Sequence, residues 1–185
     1  MVPGDRRFVT APQAVGTERL RIRLLDPQAA EGVRSLDCWA KLPGSERIVE
    51  WGVLALDGRP VMMVMTISAE KLSLFGEKML RLFPLVVDRT RGGADPILAV
   101  ETGMNLWQVA HPFFRDADGD GRVDLVLGYW KGITDSTLVL ETYLRDASGG
   151  FRTRARTQTF DVKGGEHAFL DVDHEGLALR MPGRG

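Results

Sequence analysis

The sequence predicts an all-β protein built from antiparallel sheets. Its apolar residues fall in short runs, most of them 5 to 10 residues long and rich in Val, Ile, Leu and Thr. Turn-forming segments such as Asp57-Gly58 and residues 118–121 separate these runs. Many short runs with this punctuation are typical of antiparallel folds. The predicted strands cover residues 20–25, 33–40, 48–56, 61–67, 97–102, 106–110, 123–130, 138–144, 151–160 and 177–181.

Alternation within the runs supports strands over helices. Residues 19–24 alternate arginine with Leu or Ile, and residues 152–157 alternate arginine with Ala or Thr. A period of two residues places one set on each face of a half-buried strand. Both segments are therefore predicted to be extended.

Residues 68–82 are open to two interpretations. Leu72, Phe75, Met79 and Leu82 recur at helical spacing, but Gly76 lies in the middle of the segment. The segment forms either two short strands with a turn near Gly76, which we favour, or a single helix.

Composition restricts the classes of function. The chain has 185 residues, 44% hydrophobic and 26% charged, with a formal net charge of -1. Binding of nucleic acid through bulk positive charge is not expected at this net charge. The chain has one cysteine, so it has no internal disulfide. It has no apolar run long enough to span a membrane, and its first residues lack the apolar core of a signal peptide.

The chain repeats itself at long range. Residues 116–124 match residues 171–179 at an offset of 55, and residues 120–122 match residues 57–59 at an offset of 63. Residues 138–143 match residues 20–25 at 118, which equals the two other offsets together. A unit of this length holds four strands, as a blade of a β-propeller does.

We therefore expect one repeat domain over residues 1–185, with antiparallel four-stranded blades. It contains a partial unit at 17–41, fuller units at 47–90 and 106–162, and a partial unit at 167–181. Joining the two partial units gives about three blades, whereas propellers have about 4 to 8. A partner protein or a second copy of the chain is expected to complete the propeller.

An aspartate-rich loop in the third unit has the spacing of a metal site. Asp116, Asp118, Asp120 and Asp124 occupy loop positions 1, 3, 5 and 9, and Arg122 offers its backbone carbonyl at position 7. Calcium binds about 6 to 8 oxygen ligands, so these residues are predicted to hold Ca²⁺. An EF-hand is not expected, because a leucine stands at position 12 and a strand-like run follows. The alternative is a solvated acidic turn.

Residues 114–128 and the turn at 148–151 resemble the FG-GAP/VCBS repeat family, the blades of integrin-α-like β-propellers. The resemblance implies that calcium binds in the loop between the first two strands of a blade. It also implies a second, degenerate metal loop at Asp171, Asp173 and Glu175. The earlier unit has Val53, Ala55, Asp57 and Val61 at the ligand positions, so its loop is expected to bind nothing and to be held by apolar packing.

The sequence shows no catalytic motif. It lacks Gly-x-Ser-x-Gly, a cysteine with a nearby histidine, and a phosphate-binding glycine loop. We expect a non-enzymatic calcium-binding module for protein–protein interaction or assembly. The alternative is a carbohydrate-binding or polysaccharide-active propeller, and Tyr129, Trp130 and Lys131 are the predicted partner or glycan contacts. The resemblance implies an extracellular or periplasmic protein. The lack of a signal peptide in this sequence argues against that location, so no compartment is predicted.

Overall fold

The computed structural model describes residues 8–9, 12–15, 19–26, 34–68, 76–86, 93–131, 136–162, 169–173 and 176–180. All the regular secondary structure in these ranges is β-strand, and every pair of strands is antiparallel. The predicted all-β antiparallel class is therefore confirmed. No helix long and apolar enough to cross a membrane occurs among the described residues.

The first sheet is centred on one arginine-rich strand. It contains β1 (Phe8–Val9), β2 (Gln13–Val15), β3 (Arg19–Asp26) and β4 (Arg34–Lys41). Strand β3 pairs with β4 along one edge and with β1 and β2 along the other. Its Leu20, Ile22 and Leu24 are buried, as the alternation predicts.

The second sheet is a four-stranded meander. Its strands are β5 (Glu46–Leu56), β6 (Arg59–Ser68), β7 (Glu77–Pro84) and β8 (Leu98–Asn105). Asp57 and Gly58 join β5 to β6 in a two-residue turn, with φ angles of 49° and 71°. Both turn residues are exposed, while Val61 on β6 is buried and Val53 on β5 packs against the hydrophobic core, so apolar packing holds the strands beside the turn and not the turn itself. Positive φ at both central residues is what a tight hairpin of right-handed twist requires.

The first and second sheets share a hydrophobic core. Leu20, Ile22 and Cys38 from the first sheet cluster with Met62 and other apolar residues of the second. Strand β6 is buried without interruption over residues 61–67, so neither of its faces contacts water. The second sheet is thus covered on both faces along β6, whereas β8 alternates buried and exposed residues.

The third sheet is a second meander, and a hairpin follows it. The meander contains β9 (His111–Arg115), β10 (Asp124–Lys131), β11 (Ser136–Tyr143) and β12 (Arg156–Val162). The hairpin consists of β13 (Phe169–Asp173) and β14 (Gly176–Arg180). The chain divides into two compact units, Met1–Trp107 and Gln108–Gly185, of which the second contains the meander and the hairpin.

Two predicted segments differ from the structure, and a third agrees with the interpretation that we favour over its described part. Residues 106–110 form a turn rather than a strand, because the Asn105 side chain caps the Trp107 amide and both Trp107 and Val109 face water. The predicted strand 151–160 begins only at Arg156. In the open segment 68–82, a strand starts at Glu77, directly after Gly76, while residues 69–75 lie outside the described residues.

Candidate metal loop

The aspartate-rich loop connects the first two strands of the third sheet. Strand β9 ends at Arg115 and β10 begins at Asp124, so the acidic residues fill the connection. Gly119 and Gly121 have φ angles of 80° and 82°, which curl the backbone tightly. The loop thus lies between the first two strands of a four-stranded sheet.

Three of the four predicted aspartates converge. Asp116, Asp118 and Asp120 each place one carboxylate oxygen so that the three oxygens lie within 4.8 Å of one another. Asp118 and Asp120 are exposed to solvent. Three carboxylates at this separation repel one another, and the Arg122 guanidinium, which pairs with Asp120, offsets part of that repulsion.

Asp116 also orders the loop backbone. Its carboxylate accepts hydrogen bonds from the amides of Gly119 at 2.7 Å, Gly121 at 2.8 Å and Asp120 at 3.2 Å. The Gly121 amide is the main cause that lowers the pKa of the Asp116 carboxyl below its ordinary value. The group is therefore an anion throughout the neutral pH range.

Arg122 reaches the loop through its side chain. The guanidinium forms an ion pair with Asp120 and donates a hydrogen bond to the Arg145 carbonyl oxygen at 3.3 Å. The predicted use of the Arg122 carbonyl as a ligand stays a prediction. The side-chain contacts add a link that the spacing of aspartates did not indicate, between this loop and the connection that follows β11.

Asp124 lies apart from the converging carboxylates. It is fully buried at the start of β10, and its two oxygens accept the amide hydrogens of Ala117 at 2.9 Å and Arg145 at 2.7 Å. It is not a member of the group of converging carboxylates found among the described residues. Asp124 thus fastens the metal loop to the neighbouring connection, a role that the sequence analysis missed.

The neighbouring connection, residues 144–152, is itself held by an aspartate. Asp146 accepts hydrogen bonds from the Ser148 amide at 2.9 Å and the Gly150 amide at 3.1 Å, and from the Ser148 hydroxyl. The Ser148 hydroxyl is the largest cause of the lowered pKa of Asp146. Phe151 stacks on Phe114 of β9, with ring centroids 6.4 Å apart, so aromatic packing also joins this connection to the first strand.

The chemistry of the loop fits a hard divalent cation. Calcium accepts an irregular shell of carboxylate and carbonyl oxygens and water at about 2.3–2.6 Å. The converging carboxylates supply three such oxygens. The loop lacks the nitrogen or sulfur ligands that zinc prefers.

The predicted second metal site is only partly described. The backbone places Asp171 and Asp173 on β13, opposite Ala178 and Gly176 of β14. Glu175 lies outside the described residues. This site stays a prediction.

One of the predicted partner contacts is corrected by the structure. The ring of Tyr129 is buried, and its hydroxyl donates to Glu141 at 2.8 Å, so a partner at the surface cannot reach it. Burial and the charge of Glu141 raise the pKa of Tyr143, which donates to the same carboxylate. Trp130 is half-buried and Lys131 is exposed, and their predicted roles stay untested.

The fold and the loop together define a class: an antiparallel all-β protein with an acidic inter-strand loop suited to a divalent cation. Comparison with known proteins finds no matching family model, no matching curated protein and no matching solved structure.

Proposed function

We propose that the chain is a non-enzymatic, calcium-binding repeat module of the FG-GAP/VCBS type, and that it serves protein–protein interaction or assembly. One observation carries the proposal. Asp116, Asp118 and Asp120 bring an oxygen each within 4.8 Å of the others, in the connection between the first two strands of a four-stranded sheet.

Calcium is favoured over magnesium by the kind of loop. Magnesium requires near-ideal octahedral geometry and keeps several waters, whereas calcium tolerates irregular shells. The loop is short, exposed and closed by its own backbone amides rather than by a rigid cage. Sites of this type bind calcium weakly, which suits environments with millimolar calcium.

The role we propose for the ion is structural. Asp124 and Arg122 link the metal loop to residues 144–152, so an ion at the loop stabilises two connections of the sheet. A ligand that binds only the folded state adds about 2.7 kcal/mol of stability when its concentration is 100 times its Kd.

We further propose that the sheets are blades of an incomplete propeller. Two of them are four-stranded meanders, and the inner strands β6 and β10 are buried along residues 61–67 and 124–129. Central strands buried on both faces are what blades stacked side by side require. Completion by a second copy or a partner is the assembly role in this proposal.

Thermal melting with calcium and with EDTA tests the metal site. We expect millimolar calcium to raise the Tm of the natural protein by several degrees and to leave that of Asp118→Asn unchanged. Asp57→Asn alters the short Asp-Gly turn of the second sheet and is the matched control, which must keep the calcium response. Equal Tm values in calcium and EDTA for the natural protein, with no calcium adduct in native mass spectrometry, would reject the proposed function.

A further inference from the structure

Strand β12 is an exposed edge. Among the described residues, its one strand neighbour is β11, at the end of the third sheet. All six residues from Arg156 to Asp161 are exposed, so both faces of the strand are open to water. A strand edge in this state presents unpaired backbone amides and carbonyls that can pair with another strand.

The strand carries little that protects that edge, since Arg156 and Asp161 are its two charged residues. Proteins blunt edge strands with proline, lysine, bulges or short length. Residues 156–162 contain no proline, glycine or lysine, and their pairing with β11 runs through seven consecutive residue pairs without a register shift. The strand is also rich in threonine and contains Phe160, residue types with high β-propensity.

We propose that β12 pairs antiparallel with the same strand of a second copy of the chain, with Gln158 on the two-fold axis. In a symmetric antiparallel pair the axis is perpendicular to the sheet, because only then does each side chain keep its face. Residue numbers of opposing residues must therefore sum to an even number. In the register about Gln158, each of the direct pairs formed by residues 156–160 is favourable.

The pairs in this register are complementary. Arg156 of each copy stands opposite Phe160 of the other, where the guanidinium can cover a ring that is 45% exposed in the single chain. Thr157 stands opposite Thr159, a favourable cross-strand pair, and the two Gln158 side chains can hydrogen-bond to each other. Pairing joins two four-stranded sheets into one of eight strands.

This inference adds a contact between two copies to the proposed assembly role. Pairing at the end of the third sheet does not itself complete the propeller, and it does not require calcium. A single strand pair buries little surface, so the dimer is expected to be weak. Sedimentation velocity from about 1 µM to about 1 mM should show a monomer becoming a dimer.

Charge variants at the axis test the register. In Gln158→Lys, and separately in Gln158→Glu, like charges face each other, so each variant should stay monomeric over the whole range. An equimolar mixture of the two should dimerise again. Thr153→Lys adds the same charge to the exposed loop before β12 and should dimerise as the natural protein does.

The outcomes separate this inference from the metal site. A natural chain that is monomeric at every concentration, a dimer that survives Gln158→Lys, or a mixture that fails to restore the dimer would each overturn the inference. Melting in calcium and EDTA reads the metal loop independently, so either proposal can fail while the other stands. Far-UV circular dichroism and an unchanged Tm would show that the Gln158 variants are folded.

Discussion

Replacing Asp124 separates its role as a structural fastener from its predicted role as a metal ligand. Its carboxylate is fully buried and accepts two backbone hydrogen bonds, from Ala117 and Arg145. Asparagine keeps one acceptor oxygen and turns an amide donor toward the other N–H group. Hydrogen bonds to a charged group contribute about 1.5–3 kcal/mol each, so Asp124→Asn is expected to lose about 3 kcal/mol. For a chain of this size that lowers the Tm by about 6–12 °C.

The measurement is thermal unfolding followed by far-UV circular dichroism, in EDTA and again in calcium. We expect Asp124→Asn to be destabilised in both buffers, since its hydrogen bonds do not depend on an ion. Asp118→Asn removes an exposed carboxylate and should change the Tm little in EDTA, but should lose the rise that calcium gives. If Asp124→Asn melts like the natural protein in EDTA and differs only in calcium, Asp124 is a ligand and the assignment as a fastener is wrong.

Three further substitutions test other parts of the structure. Arg81→Met leaves the carboxylate of Glu46 without its ion-pair partner and should lower the free energy of unfolding in urea by about 3–5 kcal/mol. The double variant with Glu46→Leu should recover most of this loss, and no recovery would contradict the pairing. The pKa of Asp116 is held below its ordinary 3.8, so the stability that the ionised carboxylate adds to the fold is present above about pH 4 and is lost as the pH falls through the folded-state pKa. Asp116→Asn should therefore be less stable than the natural protein at pH 7 and should lose less stability on acidification. An unchanged dependence of stability on acid pH would count against this. Gly121 has a φ of 82° and open space at its Cβ position, so Gly121→Ala should lower the free energy of unfolding by about 1–2 kcal/mol through backbone strain alone. The control is Gly52→Ala, where φ is ordinary and the nearest atom to the added Cβ is 3.8 Å away.

Local patterns predicted the strands where burial follows simple alternation. The arginine and aliphatic residues of β3 are one case, and the Asp57-Gly58 turn is another, because both depend on neighbouring residues only. The prediction of a strand at 106–110 was wrong because apolar residues are not buried there. Trp107 and Val109 are apolar but exposed, and the capping bond from Asn105 that fixes the turn is not visible in hydrophobic periodicity.

The candidate site was predictable to the extent that its ligands are close in sequence. Asp116, Asp118 and Asp120 converge because two glycines curl six residues of backbone. Aspartates at every second position of the sequence are the visible sign of such a loop. The role of Asp124 depends on Arg145, which is 21 residues away and reaches it through the pairing of β10 with β11. The burial of Tyr129 likewise depends on the neighbouring strand, which supplies Glu141.

The position of Cys38 makes the first unit easy to follow chemically. It is the one thiol of the chain, and it is enclosed between the first and second sheets with 1% of its surface accessible. A maleimide or other alkylating reagent can reach it only when those sheets come apart, so the labelling rate reports how often they separate. The aspartate loop belongs to the other compact unit. The labelling rate of Cys38 with and without calcium would therefore show whether calcium binding in one unit changes the opening of the other.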